Sequence, residues 1–137
     1  MTPHLHPIRV YYEDTDFSGV VYHASYLRFL ERGRTELIRA LGIGQRDLFD
    51  GAVPLAFAVR RMSLDFLKPA LMDDLLAVET TPVLARGASM ELHQRVLREA
   101  EVLVTAQVTV ACVGGGRARR IPEALRARLR LDAEPKG

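Results

Sequence analysis

The sequence predicts an α+β protein in which an antiparallel sheet of about five strands curls around one long central helix. Three observations support this fold class. Apolar residues recur at helical spacing over residues 22–41, whereas alternation with period two precedes that segment and dominates residues 55–113. The later alternating segments are joined by short turns, which favours antiparallel pairing. Because such a sheet has one wet face, its other face can bury the apolar side of the helix.

The first predicted strand and the helix are each defined by their apolar residues. The strand contains Ile8, Val10 and Tyr12 in alternation with polar residues. The helix carries one apolar stripe, formed by Tyr26, Phe29, Leu30, Leu37 and Leu41. Gly42 and Gly44 suit the left-handed residue that commonly ends a helix. Gly33 lies on or near the stripe at a cost of about 1 kcal/mol relative to alanine, so we expect another element to pack closely there.

The strand after the helix changes its alternation part-way along. Leu55, Phe57 and Val59 share one face, but Met62, Leu64 and Phe66 follow the opposite parity. A bulge or sharp bend is therefore predicted near Arg60 and Arg61. Three more strands are predicted over residues 75–84, 89–98 and 102–112, with even-numbered residues of the last one facing inward. A terminal helix is predicted to begin at Pro122.

Length and composition set the limits of the interpretation. The 137 residues fit one domain, so we expect a single domain over residues 1–137. Hydrophobic residues make up 48% and charged residues 26%, which is typical of globular proteins and not of chains inserted in membranes. The net charge of +2 is too small to indicate a nucleic-acid partner. No secretory signal pattern is present, which makes the cytoplasm the expected location. The single cysteine, Cys112, is expected in the core.

Three carboxylates mark the junction between the first strand and the helix. Glu13, Asp14 and Asp16 are close enough to repel one another, which predicts a raised pKa for at least one of them. Backbone N–H groups near Tyr22 and His23 begin the helix and lack helical acceptors. A carboxylate facing such donors can attack an activated carbonyl while the amides hold the developing oxyanion. The alternative is a helix cap or turn, which spacing alone favours.

A longer pattern around the junction resembles a known family. The motif comprises Tyr12, Glu13, Asp14, Thr15, Asp16, Gly19, Val20, Val21, Tyr22, His23, Tyr26, Leu27, Phe29, Glu31 and Arg34. It is similar to the signature of hotdog-fold acyl-CoA thioesterases, nearest to the YbgC-like, or tol-pal-associated, branch of the 4-hydroxybenzoyl-CoA thioesterase superfamily. Two further segments fit, residues 67–70 with Asp74, and residues 120–123.

The resemblance implies an activity and roles for individual residues. It implies hydrolysis of an acyl-CoA thioester to free acid and CoA, without a metal or other cofactor. Asp16 matches the catalytic base or nucleophile, and His23 matches the residue whose backbone N–H polarises the thioester carbonyl. Tyr22 matches a residue lining the acyl pocket.

The resemblance also implies a homodimer or homotetramer with active sites at the dimer interface. The bend at Val59, Arg60 and Arg61 lies where related enzymes contact the pantetheine arm across that interface. Arg117 belongs to a C-terminal arginine cluster that suits phosphates of the substrate or an acidic partner such as an acyl carrier protein. Phe17 and Ser18 depart from the small residues common at these positions, which bears on the acyl length accepted.

Two functions other than thioester hydrolysis are also compatible with the sequence. One is a hydratase or dehydratase on the same fold, and another is a non-catalytic module that binds acyl-CoA or an acyl carrier. His4 and His6 have a spacing that suits a metal ion, but a solvated N-terminal tail is the favoured interpretation. His93 is expected to be exposed. No metal site is therefore predicted.

Overall fold

The computed structural model describes residues 3–132 of the chain as a sheet of six strands with three helices. The strands are β1 (His4–Arg9), β2 (Ala56–Phe66), β3 (Leu75–Arg86), β4 (Ser89–Arg98), β5 (Glu101–Gly114) and β6 (Arg117–Ala118). The helices are α1 (Ser25–Ala40), α2 (Gln45–Phe49) and α3 (Glu123–Asp132), and a 3₁₀ turn covers Tyr12–Asp14. The predicted α+β class, with a long helix against an antiparallel sheet, is confirmed.

The sheet has the order β1-β3-β4-β5-β2, and every pairing is antiparallel. β6 pairs with the end of β5. β1 and β2 are separated along the chain by α1 and occupy opposite edges. β2 therefore has β5 as its single strand neighbour within residues 3–132.

Helix α1 buries the predicted stripe. Tyr26, Phe29, Leu30 and Leu37 are all buried, and Leu41 is partly buried against the same core. A methyl group added at Gly33 would overlap Val78 Cγ1 and lie 3.1 Å from Thr80 Oγ1, so the close approach predicted at this glycine is confirmed. The helix begins at Ser25 and not near Tyr22, because residues 22–25 form a turn in which Ser25 N–H donates to Tyr22 O.

The register shifts in three strand pairs of the sheet, β2–β5, β3–β4 and β4–β5. The shift between Val59 and Arg61 in β2 was predicted from the change in alternation. The shift between Pro82 and Leu84 in β3 and the one after Val96 in β4 were not predicted. Val96 pairs with Val104 while Leu97 pairs with Val102, which leaves Leu103 as the additional residue and makes it buried. The prediction that even-numbered residues of β5 face inward is therefore right from Val104 onward and wrong before it.

Several local predictions need correction. His4 and His6 lie in β1 and are half-buried, so they do not belong to a solvated tail. Tyr12 is exposed, because the strand ends at Arg9 and the 3₁₀ turn follows. His93, which was expected to be exposed, is half-buried on β4. Helix α2 was not predicted. Cys112 is fully buried in the core, as expected.

Two features are absent from the part of the chain that the structure describes. Over residues 3–132, no three His, Cys, Asp or Glu side chains are grouped so that they could hold a metal ion. Over the same span, no helix has both the length and the apolar character needed to cross a bilayer.

Candidate active site

Residues 14–22 form a tight hairpin between the 3₁₀ turn and α1. Asp16 N–H donates to Val20 O at 2.8 Å, and Tyr22 N–H donates to Asp14 O at 2.9 Å. The tip is a turn closed by the N–H of Gly19, which donates to Asp16 O at 3.1 Å. Gly19 has φ +87°, a conformation that strongly favours glycine. The hairpin therefore holds Asp16 at its tip and delivers the chain to the helix at its base.

Asp14 is buried in the base of this hairpin. Its Oδ2 accepts the N–H of Tyr11 at 2.8 Å, and its Oδ1 lies 3.6 Å from a guanidinium nitrogen of Arg28. The Ser25 hydroxyl donates to Asp14 O at 3.1 Å. These contacts tie the 3₁₀ turn to the first turn of α1. Asp14 therefore has the turn-forming role that spacing alone favoured.

Asp16 is exposed and has a different environment. Its Oδ1 accepts two hydrogen bonds from Ser18, at 2.8 Å from the hydroxyl and at 2.9 Å from the backbone N–H. The hydroxyl and then the N–H of Ser18 hold the pKa of the Asp16 carboxyl below its ordinary value. The raised pKa predicted from carboxylate repulsion is therefore wrong for Asp16. Its carboxylate is ionised at neutral pH.

One of the two predicted amide donors is available. Tyr22 N–H is already bonded to Asp14 O, whereas His23 N–H has no acceptor among residues 3–132. His23 lies immediately before α1, whose first amides give this end of the helix a partial positive charge. An oxygen that develops negative charge beside His23 would be stabilised by both effects.

An apolar pocket of about 250 Å³ lies beside His23. It is lined by Val21, His23, Tyr26, Phe66, Leu67, Lys68 and Pro69. The rings of His23 and Phe66 meet edge to face with centroids 6.4 Å apart. The pocket joins the base of the hairpin to the end of β2, and its apolar walls suit an acyl group.

Hydrogen bonds hold the segment of residues 67–70, which lines part of this pocket. Leu67 N–H and Lys68 N–H both donate to Leu103 O, at 2.8 and 3.1 Å, at the bulge in β5. Ala70 N–H donates to the hydroxyl of Tyr26 at 3.1 Å, and burial raises the pKa of that hydroxyl. The sequence pattern marked residues 67–70 but gave them no role. Leu67, Lys68 and Pro69 are thus pocket residues that were missed, although the motif signal was present. Phe66 was also missed, and it lies outside the motif.

The remaining predicted site residues lie apart from this pocket within one chain. Tyr22 is half exposed and stacks against His23 with ring centroids 4.5 Å apart, outside the pocket. Val59, Arg60 and Arg61 are exposed at the bulge of β2, and Arg117 is exposed in β6. Arg117 lies near the Ala56 end of β2, because Val113 of β5 pairs with Ala56 on one side and with Ala118 on the other. Val59 and Arg60 lie in the half of β2 nearer Ala56, and Arg61 is its middle residue.

Comparisons with known proteins agree on the class of protein that this fold and hairpin define. A model of the thioesterase superfamily matches residues 18–105. The acyl-CoA thioesterase YbgC of Haemophilus influenzae is 46% identical over 115 residues, which are 84% of this chain and 84% of that protein. The acyl-CoA thioester hydrolase YbgC of Escherichia coli is 45% identical over 108 residues, which are 78% of this chain and 79% of that protein.

A solved structure gives the same result. A probable thioesterase from Bartonella henselae matches with a TM-score of 0.86 at 43% identity, over 88% of this chain and 100% of that chain. This chain belongs to the thioesterase superfamily. The hotdog fold expected from the sequence motif is confirmed with it.

Proposed function

We propose that this protein hydrolyses acyl-CoA thioesters to the free acid and CoA. The observation that carries the proposal is the hairpin of residues 14–22. It holds an ionised, exposed carboxylate, and within residues 3–132 the N–H of His23 at its base has no acceptor. An apolar pocket lies beside that amide. The acyl-CoA substrate is also named for relatives that are 45–46% identical over most of their length.

The proposed chemistry places the thioester carbonyl between these two groups. The His23 N–H binds the carbonyl oxygen, and negative charge builds on that oxygen as a nucleophile adds to the carbon. In one route Asp16 itself adds, CoA leaves as the thiolate and takes a proton, and water then cleaves the anhydride to regenerate Asp16. In the other route Asp16 takes a proton from water, which adds directly.

The ionised state of Asp16 serves either route. A carboxylate with a lowered pKa is ionised at neutral pH, as both routes require, but it is weaker both as a nucleophile and as a base. Single-turnover hydrolysis in heavy-oxygen water separates the routes. Direct attack, followed by addition of water at the Asp16 carbonyl of the anhydride, predicts that the first free acid carries an unlabelled oxygen from Asp16 and that label appears in the enzyme. Attack of water on the thioester labels the acid alone, so label in the enzyme is the result that identifies direct attack.

We further propose that two copies pair through β2 to complete the site. β2 is an edge strand whose free side would otherwise offer unpaired backbone groups. Antiparallel pairing about a two-fold axis would place the Phe66 end of one β2 beside the Ala56 end of the other. Val59 and Phe66 are both about half exposed and would be covered.

The same pairing would explain why several predicted site residues lie far from His23 within one chain. Val59, Arg60 and Arg117 lie toward the Ala56 end of β2, so a second copy would bring them toward the pocket of the first. Arg61 is the middle residue of the strand. The arginines would then be available to the phosphates of CoA, which they suit by charge and geometry. Tetramer formation, an acyl carrier partner and the cytoplasmic location stay predictions from the sequence.

The proposal is tested by measuring release of CoA thiol from a panel of acyl-CoA esters of increasing chain length and of aromatic esters. Steady release from at least one class is expected. Hydration of enoyl-CoA esters without thiol release would indicate a hydratase. Tight binding of acyl-CoA with no turnover across the panel would indicate a binding module, and either outcome would overturn the assignment.

A further inference from the structure

Ser18 makes two contacts to the same oxygen of Asp16. Its N–H and its hydroxyl both donate to Asp16 Oδ1, at 2.9 and 2.8 Å. The backbone on either side is fixed, because Asp16 N–H donates to Val20 O and Gly19 N–H donates to Asp16 O. Both donors therefore come from a rigid turn. The orientation of the carboxylate is set within the hairpin itself.

The second carboxylate oxygen has no such contact. Among residues 3–132, Asp16 Oδ2 accepts no hydrogen bond of normal geometry, and the carboxylate forms no ion pair. The backbone N–H groups of Val20 and of Asp16 itself act on the carboxylate less strongly than Ser18 does. We propose that the Ser18 hydroxyl is a positioning residue that holds Asp16 Oδ1 and leaves Oδ2 as the reacting atom. This inference rests on the function proposed for Asp16.

The same two donors favour the ionised form of the carboxylate. They lower the pKa of Asp16, with the hydroxyl as the largest cause. Loss of the hydroxyl should therefore raise that pKa toward its ordinary value and leave less carboxylate ionised in acid. If the ionised form does the chemistry, activity in the variant should be lost at a higher pH than in the wild type.

Neighbouring charges do not provide this effect. On the preceding turn Asp14 faces Arg28, and Glu13 is exposed. On the segment against which the hairpin packs, Asp74 is paired with Arg98, and Asp73 is exposed. None of these groups contributes to the shift in the pKa of Asp16. The hydroxyl of Ser18 thus lowers the pKa of Asp16 locally, and a single substitution can remove it.

The test is the pH profile of kcat/KM for Ser18→Ala and Ser18→Gly, with CoA release followed by a thiol reagent that works in acid. Both variants keep the N–H donor and lose the hydroxyl. We expect the acidic limb to move to higher pH, with about a three- to tenfold loss at about pH 3 relative to each variant's own plateau, because an aspartate with its ordinary pKa is mostly protonated there. Ser18→Thr keeps a hydroxyl and should restore the wild-type limb.

Thr15→Ala is the matched control in the same hairpin. Its hydroxyl donates to Tyr12 O at 2.7 Å and does not contact Asp16. The control should leave the acidic limb in place. An unmoved limb in Ser18→Ala, with wild-type hydrolysis intact, would overturn the role of Ser18 alone. Absence of hydrolysis by the wild type would instead remove the function on which it rests.

Discussion

Asp14 and Asp16 lie two residues apart and hold their carboxylates in opposite environments. Asp14 is buried against the N–H of Tyr11 and near Arg28, whereas Asp16 is exposed at the hairpin tip. A buried carboxylate with two partners stabilises its surroundings, and removing it leaves those partners unsatisfied. An exposed carboxylate with one free oxygen can meet a substrate. Asp14 thus stabilises the fold, whereas Asp16 is available to a substrate.

Asp14→Ala should destabilise the protein because it leaves Tyr11 N–H without its acceptor and Arg28 without its carboxylate. The expected loss in free energy of unfolding is about 1–3 kcal/mol, measured by urea denaturation. Glu13→Gln is the control, since Glu13 is exposed on the same turn and should change stability by less than about 0.5 kcal/mol. Equal stability of the two variants would contradict the role assigned to Asp14.

The sequence predicted the residues of the hairpin better than their environments. Asp16 and His23 were selected by the motif, and the structure leaves the amide of His23 without an acceptor within residues 3–132. The lowered pKa of Asp16 was not predictable from spacing, because it depends on a turn that points both donors of Ser18 at one oxygen. Repulsion between neighbouring acids was the visible signal, but Glu13 and Asp14 do not contribute to the pKa of Asp16, which local hydrogen bonds lower.

At the level of elements, α1 approaches the sheet most closely at Gly33. Beside that glycine a buried polar network crosses the interface. The side-chain amide of Gln94 donates to Leu30 O at 3.0 Å and to Thr80 Oγ1 at 2.9 Å, and its oxygen accepts a hydrogen bond from Arg34 at 3.0 Å. A fully bonded network of this kind fixes the rotation of the helix against the strands. The start of α1, and with it His23, is positioned accordingly.

Gly33→Ala should lower stability even though alanine is the better helix former. The added methyl overlaps Val78 Cγ1, and overpacking of this kind costs about 1–3 kcal/mol. A double-mutant cycle with Val78→Ala isolates the cause by urea denaturation. The double variant should be more stable than the sum of the single changes predicts, by about 1 kcal/mol or more. Strict additivity would show that Val78 is not the obstacle.

The spacing of apolar residues predicted most of the helices and strands. It did not predict a bulge where the alternation of apolar and polar residues shows no change. The bulge at Arg60 was visible because apolar residues switch parity there. The bulge at Leu103 was hidden, because Val102, Leu103 and Val104 are all apolar and either parity fits. Helix α2 is a single short turn with no buried residue, so it carries no apolar stripe to detect.

At the scale of the whole molecule, β2 leaves one edge of the sheet open. On this strand exposed Val59 and Arg60 lie in the half nearer Ala56 and Arg61 lies at the middle, whereas the pocket beside His23 opens at the Phe66 end. A second copy paired along β2 would bring these two ends together. Assembly and activity should therefore depend on one another.

Ser63→Arg should weaken such pairing, because it adds a third cation to an edge that would face its own copy. The association constant, measured by sedimentation equilibrium, should fall by about tenfold or more, and thioesterase activity at low protein concentration should fall with it. Gln107→Arg is the matched control, since Gln107 pairs with Ser63 from the inner strand β5 and is also exposed. Equal association of both variants would argue against an interface along β2.

The most direct test of the account is CoA release and acyl-CoA binding by Asp16→Asn. Asparagine keeps the shape of the side chain and an oxygen that can accept from Ser18, but it removes the negative charge. We predict that turnover falls by about 10²- to 10⁴-fold while the dissociation constant for acyl-CoA, measured by calorimetry, changes by less than about threefold. Turnover by Asp16→Asn at near the wild-type rate would contradict the central role of this carboxylate.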